Sequence, residues 1–264
     1  MNPPTPQCPL EHYCPLNSSK KSAVVENFRQ QQNKFIEVIK DLTVLHGPFK
    51  GMKYPSLNAY GSVIYPKILG SYEKELSGLI ESLCQKPYTS IIDIGCAEGY
   101  YAVGFSLRIP EAKVYAFDSS QQAQVLCEEM ALANAVSVKC AGTFHKETFN
   151  NMNLDAKTLI ICDCEGQEAN IFDSDIAQKL IHCDLLIESH DCVNIEMTHY
   201  LYKIFSETHS ITEIESIDDT LKAYRCDYSE LSSFSLHEKK AFLSEHRGHI
   251  MRWLYLEPKI PQNH

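Results

Sequence analysis

The chain has 264 residues, of which 44% are hydrophobic and 22% charged, the ordinary composition of a globular protein with one sizeable core. Its 34 acidic residues outnumber 24 basic ones, giving a formal net charge of -10, and no block of Lys or Arg occurs. Such a chain repels phosphate backbones and anionic lipid surfaces on average, which argues against nucleic acids and membranes as partners.

The first 20 residues are rich in Pro and polar residues, and we expect a disordered tail there. They lack the basic and then apolar layout of a secretory signal, and no apolar run approaches the roughly 20 residues that span a bilayer. We therefore expect a cytoplasmic protein, in which most of the eleven cysteines are buried free thiols.

Residues 21–84 are predicted to form a helical extension on the substrate side of the main domain. Apolar residues recur at helical spacing from Ala23 to Leu45, which indicates an amphipathic helix weakened around Gln30 to Asn33. Turn residues flank the aromatic stretch from Gly47 to Pro55, so an ordered loop is expected there. A second helix is predicted from about Tyr72 to Leu83.

From residue 85 onwards, short apolar runs alternate with helical segments, and we expect one domain over residues 85–264. The predicted strands are Ser90 to Ile94, Lys113 to Phe117, Ser137 to Cys140, Thr158 to Cys162 and Leu185 to Glu188. The predicted helices between and after them are Tyr100 to Arg108, Gln121 to Ala133, Gln167 to Ile181 and Ile195 to Phe205. This alternation implies an α/β fold, with a parallel sheet covered by helices on both faces.

The last third of the chain offers two further strands, Ser210 to Ser216 and Ile250 to Leu256, with a helix predicted from Leu236 to Glu245. Two strands joined by a long excursion can add an antiparallel edge to the sheet. The excursion, residues 218–249, is either a lid that clamps an anionic substrate or a solvated surface helix. Its candidate clamp residues are Arg225, His237, His246 and Arg247.

The first of these strands runs into the turn from Asp93 to Gly99, and a helix follows. Gly95 and Gly99 then stand where backbone must approach a ligand closely, at the sheet edge where open α/β sheets bind ligands. The dinucleotide fingerprint requires glycine where Ala97 stands. S-adenosylmethionine (SAM), which has no phosphate, fits better than NAD(P), and Asp93 could face it without repelling a phosphate.

A second acid, Asp118, ends the next strand about 20 residues after the glycine turn. A carboxylate there can accept two hydrogen bonds from a ribose diol. An aspartate at a strand end is also a common helix cap or turn residue, so Asp118 indicates a cofactor site only together with the glycine turn.

On these residues the sequence resembles class I SAM-dependent methyltransferases, with Asp93 to Gly99 similar to motif I and Asp118 to the acidic end of motif II. Segments 161–168 and 186–191 resemble the D-x-E-G-x-E and (I/V)-E-x-H signatures of FkbM-like methyltransferases, which are mostly O-methyltransferases of small molecules or sugars. The resemblance covers about residues 71–258. It implies a Rossmann-like, seven-stranded, mostly parallel sheet of order 3-2-1-4-5-7-6, with helices on both faces and an antiparallel last strand.

The resemblance also implies where SAM binds. Elements before the first strand close over SAM in related folds, which adds two contacts from the helical extension. The predicted cofactor contacts are Tyr72, Glu73, Asp93, Gly95, Cys96, Gly99, Tyr100, Asp118, Ser119 and Gly142.

The side chains expected to gather where the fourth and fifth strands end are Asp163, Glu165, Glu188, His190 and Asp191, and three uses compete for them. As catalytic residues, His190 would take a hydroxyl proton with Glu188 or Asp191 orienting it, and Asp163 beside them. As metal ligands, Asp163, Glu188, His190 and Asp191 would hold Mg²⁺ or Ca²⁺. Asp163 could instead hold the α-amino group of SAM.

In the third use the acids are structural, and Glu165 and Glu168 only complement the helix dipole. We prefer this interpretation for Glu168.

The sequence therefore predicts O-methylation of a small-molecule hydroxyl, on a natural product, sugar or catechol-like acceptor, with or without a metal ion. An NAD(P)-dependent oxidoreductase and a non-catalytic SAM-binding or partner-binding module remain alternatives. A homodimer is compatible with the sequence.

Overall fold

The computed structural model describes residues 18–152 and 154–259. The predicted N-terminal tail lies outside the described residues up to residue 17, and residues 18–20 already belong to the first helix. No helix in the described ranges combines the length and apolar character needed to cross a membrane.

A seven-stranded sheet forms the centre of the molecule, with the strand order β3-β2-β1-β4-β5-β7-β6. Strands β1 to β5 run parallel, and β7 pairs antiparallel with both β5 and β6. The strands are β1 Ser90–Ile94, β2 Lys113–Phe117, β3 Val138–Ala141, β4 Thr158–Cys162, β5 Asp184–Ser189, β6 His209–Glu215 and β7 Arg252–Pro258. The predicted α/β class, strand order and antiparallel edge are confirmed.

Ten α-helices are present in the described part of the chain. They are α1 Ser18–Ile39, α2 Ile64–Leu69, α3 Ser77–Leu83, α4 Tyr100–Arg108, α5 Gln121–Ala133, α6 Glu168–Ile171, α7 Ser174–Lys179, α8 Met197–Phe205, α9 Asp219–Arg225 and α10 Leu236–Leu243. A 3₁₀ turn, Lys74–Leu76, precedes α3.

The sheet separates two apolar cores, as expected for strands that bury both faces. One core joins the helical extension to the sheet and includes Phe35, Phe105 and Trp253. The other is centred on Phe149, Phe172 and Phe205. Every residue of β4 and β5 is buried, so these two strands lie at the middle of the molecule and present their carboxyl ends to one site.

Several element predictions were wrong in detail. Helix α1 runs from Ser18 to Ile39 rather than from Ala23 to Leu45, and α3 begins at Ser77 rather than at Tyr72. Helix α1 continues through Gln30 to Asn33, because tertiary contacts support its polar segment: Tyr65 Oη donates to Gln32, and Lys34 pairs with Glu238 at 3.0 Å. The predicted helix from Gln167 to Ile181 is split into α6 and α7 at Phe172. Helices α2 and α9 had not been predicted.

The break between α6 and α7 has a local cause. Phe172 is extended, and the side chain of Asp173 accepts a hydrogen bond from the amide of Ile176 at 2.9 Å, which starts α7 as a new helix.

The excursion 218–249 packs on the core as α9 and α10. Lys222 is buried in α9, and Phe242 and Leu243 are buried in α10. It is therefore not a freely solvated helix, and its role as a lid stays a prediction.

Candidate active site

A cavity of about 780 Å³ opens at the carboxyl ends of the parallel strands. Its wall is formed by residues that follow β1 to β5, by the helical extension, and by Arg247 from the loop after α10. The cavity therefore lies where ligands bind in open α/β sheets.

The turn after β1 is shaped by close backbone contacts. Gly95 has φ 85° and Gly99 has φ 92°, both in the left-handed region. A Cβ atom on Gly95 would lie 1.6 Å from the backbone oxygen of Asp163, and one on Gly99 would lie 2.7 Å from the sulfur of Cys127. These glycines thus allow two protein segments to meet, rather than the close approach to a ligand that their positions predict.

Gly95 and Cys96 line the cavity, as does Tyr100 at the start of α4, whereas Gly99 does not. The amides of Gly95 and Cys96 both donate to the carbonyl of Phe117, at 2.8 and 3.0 Å. This double hydrogen bond fixes the turn against the end of β2.

Asp93 does not face the cavity, which corrects its predicted contact with the cofactor. The side chain is buried, and Oδ2 accepts a hydrogen bond from the amide of Ala102 at 2.9 Å. Burial raises the pKa of Asp93 to about 7. The acid therefore fixes the first turn of α4 behind the glycine turn, a role that the helix-cap interpretation allows.

Asp118 lines the cavity at the end of β2. Its Oδ2 accepts from the amide of Ala97 at 3.0 Å, and its Oδ1 accepts from the amide of Ser120 at 2.8 Å. Each carboxylate oxygen keeps a further lone pair, so both can still accept from a ribose diol. Ser119 lines the cavity beside it, whereas Gly142 does not.

Tyr72 brings the helical extension to the cavity wall. Lys67 Nζ lies 4.6 Å from the centre of its ring and pairs with Glu98 at 2.5 Å in a fully buried contact. Glu98, in the glycine turn, also accepts from the amide of Tyr60 at 3.1 Å. The extension is thus anchored to the turn itself.

Glu73 is buried behind the wall and does not line the cavity, contrary to its predicted contact with the cofactor. Its backbone has φ 46°, and its carboxylate accepts hydrogen bonds from Tyr101 Oη and from Arg247. Burial raises the pKa of Glu73 to about 7, against the opposing effect of Arg247.

Arg247 connects three acids from three parts of the chain. Its Nη2 donates to Glu73 at 2.5 Å, its Nη1 to Glu188 at 2.5 Å and its Nε to Glu245 at 2.9 Å. The charge of the guanidinium is therefore compensated by three carboxylates, which disfavours the predicted clamp for an anionic substrate at Arg247. Of the other clamp candidates, His246 lines the cavity, whereas Arg225 and His237 lie outside its wall.

His190 is buried after β5 and held by Glu168. A carboxylate can only accept, so Nδ1 of His190 donates the 2.6 Å bond to Oε1 of Glu168, which also accepts from the amide of Gly166. Burial lowers the pKa of His190, but the bond to Glu168 and the surrounding carboxylates raise it overall. Glu168 thus orients the imidazole, a role predicted for Glu188 or Asp191 and not for Glu168.

Three carboxylates surround the other ring nitrogen of His190. Nε2 lies 3.4 Å from Asp163 Oδ1, 3.5 Å from Glu165 Oε2 and 3.5 Å from Glu188 Oε2. Burial raises the pKa of Asp163 to about 7, and burial together with the Asp163 carboxyl raises that of Glu188. The structure thus brings together the three predicted catalytic residues, Asp163, Glu188 and His190.

Asp191 is turned away from this cluster, which corrects its assignment as a metal ligand. Its Oδ1 accepts from the amide of Thr198 at 2.9 Å, and its Oδ2 accepts from Thr198 Oγ1 at 2.7 Å and from Arg252 at 2.8 Å. Within the described ranges, the group that could hold a metal ion is Asp163, Glu165 and His190, whose ligand atoms lie within 4.8 Å of one another.

Sequence reasoning placed Glu165 in the cluster without assigning it a role, and it treated Glu168 as structural. Both belong to segment 163–168, where Glu165 and Gly166 adopt φ 54° and 91° and form a tight turn. A glycine after an acid in such a segment signals a turn rather than a first helical turn, and this signal could have placed Glu168 beside Glu165 at the site.

Comparison with known families identifies the domain. Residues 76–183 match the family model described as "Methyltransferase small domain". The matched segment contains β1 to β4, with the glycine turn, Asp118 and Asp163. This match and the fold support a SAM-dependent methyltransferase. The oxidoreductase alternative is set aside by this match, which ends before β5, so Glu188 and His190 lie beyond it.

Solved structures with similar folds include methyltransferases of different substrates. The precorrin-6y C5,15-methyltransferase of Geobacter metallireducens GS-15 is 8% identical, with a TM-score of 0.44 over 67% of this chain and 85% of the other. An rRNA methylase of Streptococcus thermophilus is 11% identical, with a TM-score of 0.48 over 70% and 96%.

A third, the tRNA (uracil-54, C5)-methyltransferase of Pyrococcus abyssi in complex with S-adenosyl-L-homocysteine, is 13% identical, with a TM-score of 0.43 over 71% and 38%. Resemblances at this level carry no argument about the acceptor of this methyltransferase. A comparison with curated proteins gave no match.

Proposed function

We propose that this methyltransferase transfers the methyl group of SAM to a hydroxyl group of a small molecule, as the FkbM-like signatures imply. The observation that carries the proposal is the buried pair of His190 and Glu168. It directs Nε2 toward the acids of the cavity wall beside β4. An oriented imidazole at this edge of the sheet is suited to ionising a hydroxyl.

The cofactor would span the cavity from Asp118 to Asp163. Asp118 would accept hydrogen bonds from the ribose diol, and the methionine part would lie along Gly95 and Cys96. The acidic wall at Asp163 and Glu188 favours the positively charged sulfonium over the neutral sulfur that remains after transfer.

In the transfer, the acceptor oxygen forms a bond to the methyl carbon while the carbon–sulfur bond breaks and its electron pair returns to sulfur. The hydroxyl proton leaves on the side of His190. In the simplest form of the step Nε2 takes that proton, because Nδ1 already carries one.

The charge of the wall favours a neutral acceptor such as a sugar, a phenol or another polyol. Each Lys or Arg that lines the cavity in the described part of the chain is paired with a carboxylate: Lys67 with Glu98, Lys146 with Asp173, and Arg247 with three acids. An acceptor phosphate or carboxylate would find no unpaired cation to bind. This argument, with the net charge of -10, also disfavours nucleic acids.

A metal-assisted form of the same step is the second candidate. The grouping of Asp163, Glu165 and His190 favours it. A divalent cation there would polarise the acceptor hydroxyl, in place of proton transfer to the imidazole. The acceptor hydroxyl lies at the same place in both routes. In the first route Nε2 takes its proton, and in the second Nε2 binds the metal ion.

The test is transfer of a radioactive methyl group from SAM to a panel of neutral polyols, phenols and amines, with His190→Gln as the variant. We expect hydroxyl acceptors to be labelled, and His190→Gln to lower the turnover by about 10²- to 10⁴-fold while S-adenosylhomocysteine still binds. Glu147→Gln is the matched control, because Glu147 lines the same cavity outside the cluster. Labelling of amines alone, or full activity of His190→Gln, would contradict the proposal.

A further inference from the structure

The Nε2 atom of His190 lacks a hydrogen-bond partner at normal distance. Its separations of 3.4, 3.5 and 3.5 Å from three carboxylate oxygens exceed the 2.7–3.2 Å range of N–H···O bonds. Oδ1 of Asp163 is buried and has no hydrogen-bond partner within residues 18–152 and 154–259. Buried polar atoms without a partner are costly, so the geometry indicates a missing partner between Nε2 and Asp163.

These separations match the spacing of ligands around a metal ion. Metal bonds to imidazole nitrogen and carboxylate oxygen of about 2.1 Å place neighbouring ligand atoms of a tetrahedron about 3.4 Å apart. His190 Nε2 lies 3.4 Å from Asp163 Oδ1 and 3.5 Å from Glu165 Oε2. These two separations are too long for hydrogen bonds, and all three ligand atoms lie within 4.8 Å of one another, close enough to share one cation.

Glu168 gives the imidazole the tautomer that a metal ligand needs. It is fully buried and accepts the Nδ1 proton at 2.6 Å, so the lone pair of Nε2 points toward Asp163 and Glu165. A carboxylate bonded to the second nitrogen of a histidine is the usual support of a metal-binding imidazole, because it fixes the ring and raises its basicity.

The donor set selects the kind of cation. Mg²⁺ and Ca²⁺ prefer oxygen ligands alone, whereas an imidazole with two carboxylates suits Mn²⁺, Fe²⁺ or Zn²⁺. Asp191 is bound to Arg252 at 2.8 Å and is not free to add oxygen ligands, and one oxygen of Glu188 is bound to Arg247 at 2.5 Å, which leaves its Oε2, 3.5 Å from Nε2, at the edge of the group. Three protein ligands leave coordination positions open for an acceptor, as in catalytic metal sites.

We propose that Asp163, Glu165 and His190 bind a divalent transition-metal ion of the Mn²⁺, Fe²⁺ or Zn²⁺ class, with Glu168 as a positioning residue. This inference rests on the proposed function, since the open positions of the ion serve the acceptor hydroxyl. It replaces the Mg²⁺ or Ca²⁺ site predicted from the sequence with a different ligand set and a different class of ion.

The test uses the purified, tag-free chain after treatment with a chelator, titrated with Mn²⁺ and followed by the electron paramagnetic resonance signal of the free ion. Mn²⁺ is chosen over Zn²⁺ because the chain has 11 cysteines, whose thiols bind zinc. The variants are Asp163→Asn, His190→Gln and Glu168→Gln. Glu147→Gln, which removes a charge from the same cavity outside the cluster, is the matched control.

We expect the unsubstituted protein and Glu147→Gln each to bind one Mn²⁺ with the same affinity. A large excess of Mg²⁺ should not abolish this binding. Asp163→Asn and His190→Gln should abolish this binding, and Glu168→Gln should weaken it by about 10- to 100-fold. Folding of each variant is checked by circular dichroism. Folded protein that leaves the Mn²⁺ signal unchanged, or binding that survives Asp163→Asn and His190→Gln, would overturn the inference.

Binding of S-adenosylhomocysteine to the metal-free samples separates the two hypotheses. If this ligand binds and Mn²⁺ does not, the metal site is wrong and the proposed methyl transfer stands. If it does not bind to folded protein, the proposed function fails whatever the Mn²⁺ titration gives.

Discussion

Gly95 lies where the turn after β1 meets the backbone at the end of β4. Its φ of 85° is strained for any residue with a side chain, and a Cβ atom there would lie 1.6 Å from the Asp163 oxygen. The clash involves backbone on both sides, so it cannot be relieved by rotating a side chain. The position of Asp163, and of the cluster it forms with His190, therefore depends on this glycine.

We predict that Gly95→Ala lowers the melting temperature and abolishes measurable binding of S-adenosylhomocysteine, because β4 and the turn must separate. The control is Gly78→Ala in α3, where a Cβ atom meets nothing within 4 Å. That variant should gain about 0.5–1 kcal/mol of stability, since alanine favours a helix interior. Chemical unfolding and calorimetry check both, and equal behaviour of the two variants would contradict the account.

Glu73 makes stability depend on pH. Its pKa is raised from 4.5 to about 7 in the folded chain, because it is buried near other carboxyls that share Arg247. A raised carboxyl pKa contributes stability that is fully present below pH 4.5 and is lost as the pH rises through about 7.

The ligand-free protein should therefore melt at progressively lower temperature between pH 5 and pH 8, and Glu73→Gln should lose less over the same interval. Differential scanning fluorimetry across this range measures both curves. Parallel curves for the two proteins would show that Glu73 does not titrate there.

Some site residues could be predicted from sequence patterns close to them, and others could not. Asp118 and His190 were found because each follows a recognisable strand, and strand ends meet at one edge of a parallel sheet. The partner of His190 was not found, since Glu188 and Asp191 are its neighbours in sequence, whereas Glu168 lies 22 residues away and reaches it only through the tight turn at Gly166. Asp191 was wrongly included because its pairing with Arg252 depends on β7, 61 residues away.

Among the elements, β1, β2, β4, α4 and α5 have the predicted bounds, because apolar runs and turn residues delimit them clearly. Predictions failed where contacts between residues distant in sequence determine the local structure. The polar turn of α1 is held by Tyr65 and Glu238, and no local pattern of residues 30–34 reports those partners. Helix α9 was missed because its capping Asp218 stands in a polar region without clear apolar periodicity.

Arg247 connects the loop after α10 to the helical extension through Glu73 and to β5 through Glu188. Removing it would leave Glu73, Glu188 and Glu245 buried without their common partner, which we expect to cost about 3–5 kcal/mol. Arg247→Ala should therefore lower the melting temperature and speed amide exchange in residues 244–251. Arg225→Ala, at an exposed position of α9, is the control. Unchanged amide exchange in residues 244–251 would show that the three ion pairs do not hold this loop in place.

At the scale of the whole molecule, the cavity at the sheet edge has more acidic than basic side chains in its wall. The cavity combines Asp118 at one end with Asp163, Glu165 and Glu188 at the other, and its lysines and arginine are paired. Such a wall suits a cationic cofactor that becomes neutral on reaction. The domain assignment from residues 76–183 and the charge of the cavity thus agree on SAM.

Isothermal titration of the purified chain with S-adenosylhomocysteine tests this central claim most directly, with Asp118→Ala as the variant and Asp175→Asn, an exposed acid of α7, as the control. We predict one site, an affinity unchanged in Asp175→Asn, and a loss of about 10- to 100-fold in Asp118→Ala, the value of hydrogen bonds to a charged group. Absence of binding by well-folded protein, or equal affinity of Asp118→Ala, would contradict the assignment of this cavity as the cofactor site.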